Sequence, residues 1–174
     1  MGEETPISSN PDSESFKELQ VILEMLLVVL NRFEDSVFRL HSGESPLCYK
    51  NTKILLNVLK DIKDAYGMII PPPYFRIGHG IHIQKDSEYL SLLKEFDCKV
   101  EINASSNYAL SNVRSFDEID YEFYTRNGID VFISTDGHGM YNTTTRKEDA
   151  IALSRMDVNQ YLELFLAEEK YLGK

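Results

Sequence analysis

The sequence is poor in cysteine, in positive charge and in long apolar runs, and each shortage removes a class of protein. Two cysteines, Cys48 and Cys98, cannot build a disulfide framework, and each reads as an inert small hydrophobe. A reducing, cytoplasmic compartment is therefore expected. Eighteen Lys and Arg face 28 Asp and Glu, for a net charge of −10. A nucleic-acid duplex or an anionic membrane surface would be repelled by that excess. The longest apolar run, Met25 to Leu30, falls far short of the roughly 20 residues that span a bilayer. The first residues are polar and acidic, unlike a signal peptide. A small or locally steered ligand remains allowed.

The chain has 174 residues, 43% of them hydrophobic, which suits one domain with a sizeable core. Residues Met1 to Ser15, with two prolines and four acidic residues, read as a disordered acidic tail, and 16–174 as the folded part. From Phe16 to Leu30 the apolar positions are too continuous for a clean stripe and predict a helix buried on most of its surface. Four short apolar runs follow, Val37–Leu40, Tyr74–Ile77, Cys98–Ile102 and Ile129–Ser134, each trailed by a helical pattern. Ser115-Phe116-Asp117-Glu118 reads as a capping box opening a helix that closes at Gly128. Two helical segments, near 146–155 and 158–171, end the chain. Strands alternating with helices predict an α/β fold, a parallel sheet with right-handed crossovers. The spacing is that of a (β/α)8 TIM-barrel unit, but a whole barrel takes about 250 residues. The expectation is a partial barrel, covering about the last four βα units.

Polar residues cluster where each run ends: His41 and Glu44, His79 and His82, Asn103 to Asn107, Asp136 and His138. In α/β folds the C-terminal strand ends are where ligands bind. Imidazoles and carboxylates converging from different strands suit a metal ion with an activated water. Any one such histidine is more often a loop residue satisfied by a backbone carbonyl; four strands ending alike outweigh that. Asp117, Glu118 and Asp120 read as a solvated helix start.

Leu40-His41-Ser42-Gly43-Glu44 resembles the His-Ala-Gly-Glu motif of the metal-dependent adenosine deaminase family. Arg76-Ile77-Gly78-His79-Gly80-Ile81-His82 is similar to its Arg-Ile-Gly-His-Gly-x-His motif. Glu101-Ile102-Asn103-Ala104-Ser105-Ser106-Asn107 resembles its Glu-x-Cys-Pro-x-Ser-Asn segment, and Ser134-Thr135-Asp136-Gly137 its Asn-Thr-Asp-Asp-Pro. All four stand in the family's order. The resemblance implies a zinc site in a barrel and hydrolysis of adenosine to inosine and ammonia. It implies His41 and Asp136 as metal ligands, with Asp136 also facing the attacking water. Glu44 becomes the proton donor to the purine ring, and His79 the group that orients or deprotonates that water. Gly43, Ser106, Asn107, Gly137 and His138 fall at substrate-binding positions for a purine nucleoside or nucleotide.

Two departures qualify this. The family's first-strand His-x-His pair, which supplies two zinc ligands, has no counterpart, and Gly137 replaces an Asp that contacts the purine. The absent pair implies a partner, either an N-terminal half-barrel or a second copy. It also leaves open a catalytically inactive, deaminase-like remnant acting as a binding or assembly module. A cytidine-deaminase type of zinc site is excluded, because Cys-x-x-Cys and His-x-Glu are both missing.

Overall fold

The computed structural model describes residues 5–33, 37–67, 75–82 and 87–172. Four strands, β1 (Phe38–Ser42), β2 (Phe75–His79), β3 (Lys99–Ile102) and β4 (Val131–Ile133), form one sheet. They lie in sequence order and every pairing is parallel. Helix α1 (Glu14–Arg32) precedes β1, α2 (Asn51–Tyr66) follows it, and α3 (Ser87–Glu95) follows β2. After β3 come α4 (Ala104–Ala109), a 3-10 turn (Phe116–Glu118) and α5 (Glu122–Arg126); after β4 come α6 (Thr145–Leu153) and α7 (Val158–Leu172). The expected half of a βα barrel is therefore the observed architecture.

Strand alternation sorts the side chains into two layers. Phe75, Ile77, Val100, Ile102, Val131 and Ile133 face the helices, where Leu55, Leu56, Leu59, Tyr89 and Leu93 complete the core. Each such apolar side chain contributes about 1.5–3 kcal/mol by leaving water. The opposite face carries charged side chains and Phe132, and the end of α7 lies against it, with the Tyr171 ring 5.1 Å from that of Phe132. One register row there runs His41, Gly78, Glu101, Phe132. Buried Glu101 pairs with both Arg39 and Arg76, the latter at 2.8 Å from Oε1. The Arg76 guanidinium lies 4.7 Å from the Phe132 ring and 5.3 Å from Tyr171 of α7. Mid-strand charge is thus neutralised and stacked rather than left in an apolar layer.

Several expectations require correction. In α1, Leu19, Leu23 and Leu27 are buried, but Val21, Ile22, Met25 and Val28 are 54–65% exposed. That helix therefore carries a second apolar stripe that nothing among the described residues covers. The segment expected to be a disordered tail is held where it is described: Ile7 N–H donates to Asn51 Oδ1 at 2.8 Å, and Asn51 Nδ2 to the Thr5 carbonyl. Met1 to Glu4 lie outside the described residues, as do Pro71 to Tyr74. The helix expected from Ser115 to Gly128 is broken at Ile119, whose backbone is extended. Asn103 to Asn107, placed at the end of the third run, is mostly the first turn of α4. No described helix is long and apolar enough to cross a membrane.

Candidate active site

At the C-terminal edge of the sheet, four sequence-identified residues meet. His41 ends β1 beside Gly78 on β2, and the missing side chain at 78 makes room for its ring: a Cβ there would lie 2.9 Å from His41 Cδ2. His79, the last residue of β2, has φ 74°, a left-handed conformation that costs a non-glycine residue about 1–3 kcal/mol. That turn aims its ring, which is 1% exposed, at His41, with ring centroids 4.8 Å apart. His79 Nε2 lies 3.4 Å from His41 Nδ1, 3.9 Å from Glu44 Oε1 and 4.0 Å from Asp136 Oδ2.

Neighbouring amides and hydroxyls orient these groups. Asn107 Nδ2 donates to the Asn103 carbonyl at 2.8 Å, which turns its Oδ1 towards His79 Nδ1 at 3.2 Å. The Asn103 amide nitrogen stands farther from Nδ1, at 3.5 Å, so the nearer Asn107 oxygen favours the tautomer with the proton on Nδ1 and the lone pair on Nε2. Ser106 Oγ donates to Asp136 Oδ2 at 2.9 Å. Ser106 and Asn107 therefore act here through Asp136 and His79. Gly43 takes φ 71° and its carbonyl accepts from His82 N–H at 3.0 Å.

The electrostatics separate the two proton-active groups. Burial pushes the His79 imidazole down to about 4; the nearby His41 adds to this, and Asp136 and the Asn107 bond oppose it. Burial raises the Glu44 carboxyl, with His41 opposing and Asp136 assisting. A neutral imidazole thus faces a carboxyl group biased towards its acid form, the pairing general acid–base chemistry requires. The unfolded chain binds the His79 proton near pH 6.5 and the folded chain near 4. This contribution to stability is complete above pH 6.5 and lost as the pH falls towards 4. In a Glu44→Gln, Glu168→Gln background, which removes the two carboxyls whose raised titration opposes this trend, the metal-free chain should melt progressively lower across that window. A flat Tm there would contradict a buried neutral His79.

His41, His79 and Asp136 offer one donor atom each, all within 4.8 Å of one another. Two imidazoles and a carboxylate fit zinc, whose catalytic sites use three protein ligands and keep one position open. Two sequence-identified residues stand apart. His138 is exposed and only its backbone N–H reaches Asp136, at 3.1 Å. Gly137 lies against Met140 and Tyr141, where a Cβ would come within 3.0 Å of each. His82 Nε2 donates to the Asn112 carbonyl at 2.7 Å, pinning one loop to another. Because Gly78 has an ordinary φ, Gly78→Ala is a purely steric test. It should displace the His41 ring and weaken zinc binding about tenfold or more, as read by competition with a chromophoric chelator; unchanged affinity would separate His41 from the metal.

Sequence reasoning missed one buried carboxylate. Glu148 on α6 is 1% exposed. Its Oε2 accepts from Ser105 N–H at 3.2 Å and its Oε1 from Thr143 Oγ at 2.5 Å. It ties the start of α4 to the loop after β4, and so sets Ser106 against Asp136. Nothing local marks it, since a Glu in the first turn of a helix is ordinarily a solvated dipole partner.

Imidazoles and carboxylates converge at the C-terminal edge of a parallel βα sheet, the edge where such folds bind ligands. The adenosine deaminase family model matches residues 72–162, more than half of the chain, and the protein belongs to that family. Relatives include the adenosine deaminase of Enterococcus faecalis, 37% identical over 73 residues, which are 42% of this chain and 22% of that protein. The adenosine deaminase of Plasmodium gallinaceum is 37% identical over 90 residues, 52% of this chain and 25% of its own. The aminodeoxyfutalosine deaminase of Streptomyces avermitilis is 34% identical over 85 residues, covering 49% and 24%. Among solved structures, the N6-methyl-AMP deaminase of Arabidopsis thaliana shares the fold at a TM-score of 0.56 and 18% identity. That match covers 86% of this chain and 48% of the other. The structure of the ADAL–IMP complex matches at a TM-score of 0.52 and 17% identity, covering 86% and 47%. The chain thus spans about half of its solved neighbours, and the matched segments about a quarter of its curated relatives.

Proposed function

We propose that this chain supplies the acid–base half of a zinc-dependent purine aminohydrolase, acting on a 6-aminopurine nucleoside or nucleotide. The observation that carries the reading is the meeting of His41, Glu44, His79 and Asp136, from the ends of three strands, about one buried imidazole nitrogen. His41 and Asp136 would hold the zinc ion, which supplies a Lewis acid that makes water nucleophilic near neutral pH. Glu44, whose carboxyl burial biases towards the acid form, donates to a ring nitrogen as water adds to the carbon bearing the amino group. Asp136, fixed by Ser106, orients that water, and neutral His79 accepts its proton. His79 then passes that proton to the amino group, which leaves as ammonia, and the added hydroxyl becomes the ring carbonyl as its proton returns to Glu44. Gly43 forms the turn that carries Glu44 beside these groups, and His138, at the exposed rim, faces the solvent side of the purine.

The partner that fits is an N-terminal half-barrel carrying the His-x-His pair. Strands β1 and β4 each have one neighbour in the described sheet, whereas every barrel strand has two. The exposed stripe Val21, Ile22, Met25 and Val28 lies on the helix before β1, where a preceding unit would pack. The buried free thiols Cys48 and Cys98 suit a reducing, cytoplasmic setting. The test is co-expression with the N-terminal half of a family member, followed by ammonia release from adenosine and from AMP. Turnover dependent on both halves is expected. A folded, metal-loaded complex that releases no ammonia overturns the reading in favour of an inactive binding module.

A further inference from the structure

We infer that in this chain by itself a divalent ion of the zinc type is held by His41 Nδ1, His79 Nε2 and Asp136 Oδ2, with His79 as the third protein ligand. This rests on the proposed function only in concerning the same site. The spacing of the donor atoms suits such an ion. Ligand atoms of a tetrahedral zinc with bonds of about 2.0–2.1 Å stand about 3.3–3.4 Å apart. His79 Nε2 and His41 Nδ1 stand at 3.4 Å, and Asp136 Oδ2, at 4.0 Å from Nε2, closes with a small carboxylate rotation. The tautomer suits it as well. Asn107 favours the proton on Nδ1, so Nε2 presents a lone pair into the cluster with the outer nitrogen already hydrogen-bonded, as metal-bound imidazoles are.

Asp136 is likewise oriented, by the Ser106 hydroxyl. Exposed His41 leaves an entry path and a fourth position for solvent. The strained φ of His79 is what brings a buried ring to this point; in an extended strand its side chain would face the helix layer. The remaining histidines are committed elsewhere, His82 to the Asn112 carbonyl and His138 to the exposed rim. When a His-x-His pair is supplied by an N-terminal half, the ion has its ligands without His79, and Nε2 is released to accept a proton from water.

The test uses the full chain, without a polyhistidine tag, labelled with 15N and titrated with 113Cd2+. Two imidazole rings should show nitrogen–cadmium coupling, and His82→Gln with His138→Gln should leave both unchanged. His79→Asn should remove one coupling and weaken cadmium binding more than tenfold, and Asn107→Ala should weaken it about 10- to 100-fold. A single coupled ring, no binding, or full affinity in a folded His79→Asn protein overturns the inference. Should His79→Asn not fold, the count of coupled rings in the unmodified protein decides alone. Ammonia release by the two-half complex with only one coupled ring in the solitary chain sinks this inference and spares the function. Two coupled rings and an inert complex do the reverse.

Discussion

Glu44→Gln in the assembled two-half enzyme is expected to lower kcat by about 10²–10⁴-fold while bound zinc stays unchanged. The amide keeps the shape and the hydrogen-bonding reach of the side chain but has no acidic proton to give. Burial already biases this carboxyl towards its protonated form, so the loss should appear in kcat rather than in KM. The alkaline limb of the pH–rate profile, where Glu44 gives up its proton, should vanish with it. Retained turnover, or loss of zinc, would remove Glu44 from the donor role. A ligand variant behaves differently: His41→Ala should lose metal and activity together.

Glu148→Ala should destabilise the fold by about 3 kcal/mol, the largest single effect expected away from the metal ligands. The change strands Ser105 N–H and the Thr143 hydroxyl without their acceptor in a region closed to water, and it leaves a void. Hydrogen bonds to a charged acceptor are each worth about 1.5–3 kcal/mol, and the buried donors they satisfied then go unpaired. Glu148→Gln restores acceptance at one oxygen only and should recover part of the loss. Urea denaturation followed by circular dichroism reads both variants. A change under about 0.5 kcal/mol would mean the carboxylate does not clamp α4 to the β4 loop.

How far the sequence carried can be read from these residues. The alternation of apolar runs with helical stretches exposed the parallel sheet, because strand and helix periodicities are local. Strand ends were legible for the same reason, and with them His41, Glu44, His79 and Asp136. What stayed hidden depends on register and on neighbours distant in sequence. Gly78 matters because the strand pairing sets it beside His41, which no local pattern states. His79 takes a left-handed φ that composition does not mark. Glu148 looks like a solvated helix-start acid and differs from one only through Ser105 and Thr143. Arg39, Arg76 and Glu101 are mid-strand charges whose neutralisation is visible only across three strands. The exposed half of α1 was hidden for another reason. An all-round apolar helix implies burial on every side, and nothing among the described residues covers Val21, Ile22, Met25 and Val28.

The most direct measurement is zinc per folded chain, determined by mass spectrometry after dialysis against metal-free buffer, for the unmodified protein and Asp136→Ala. About one zinc per chain is expected, as three protein ligands and an open position allow, and loss of that zinc in Asp136→Ala with the fold retained. A folded chain that holds no zinc, or an Asp136→Ala protein that keeps it, would contradict the site.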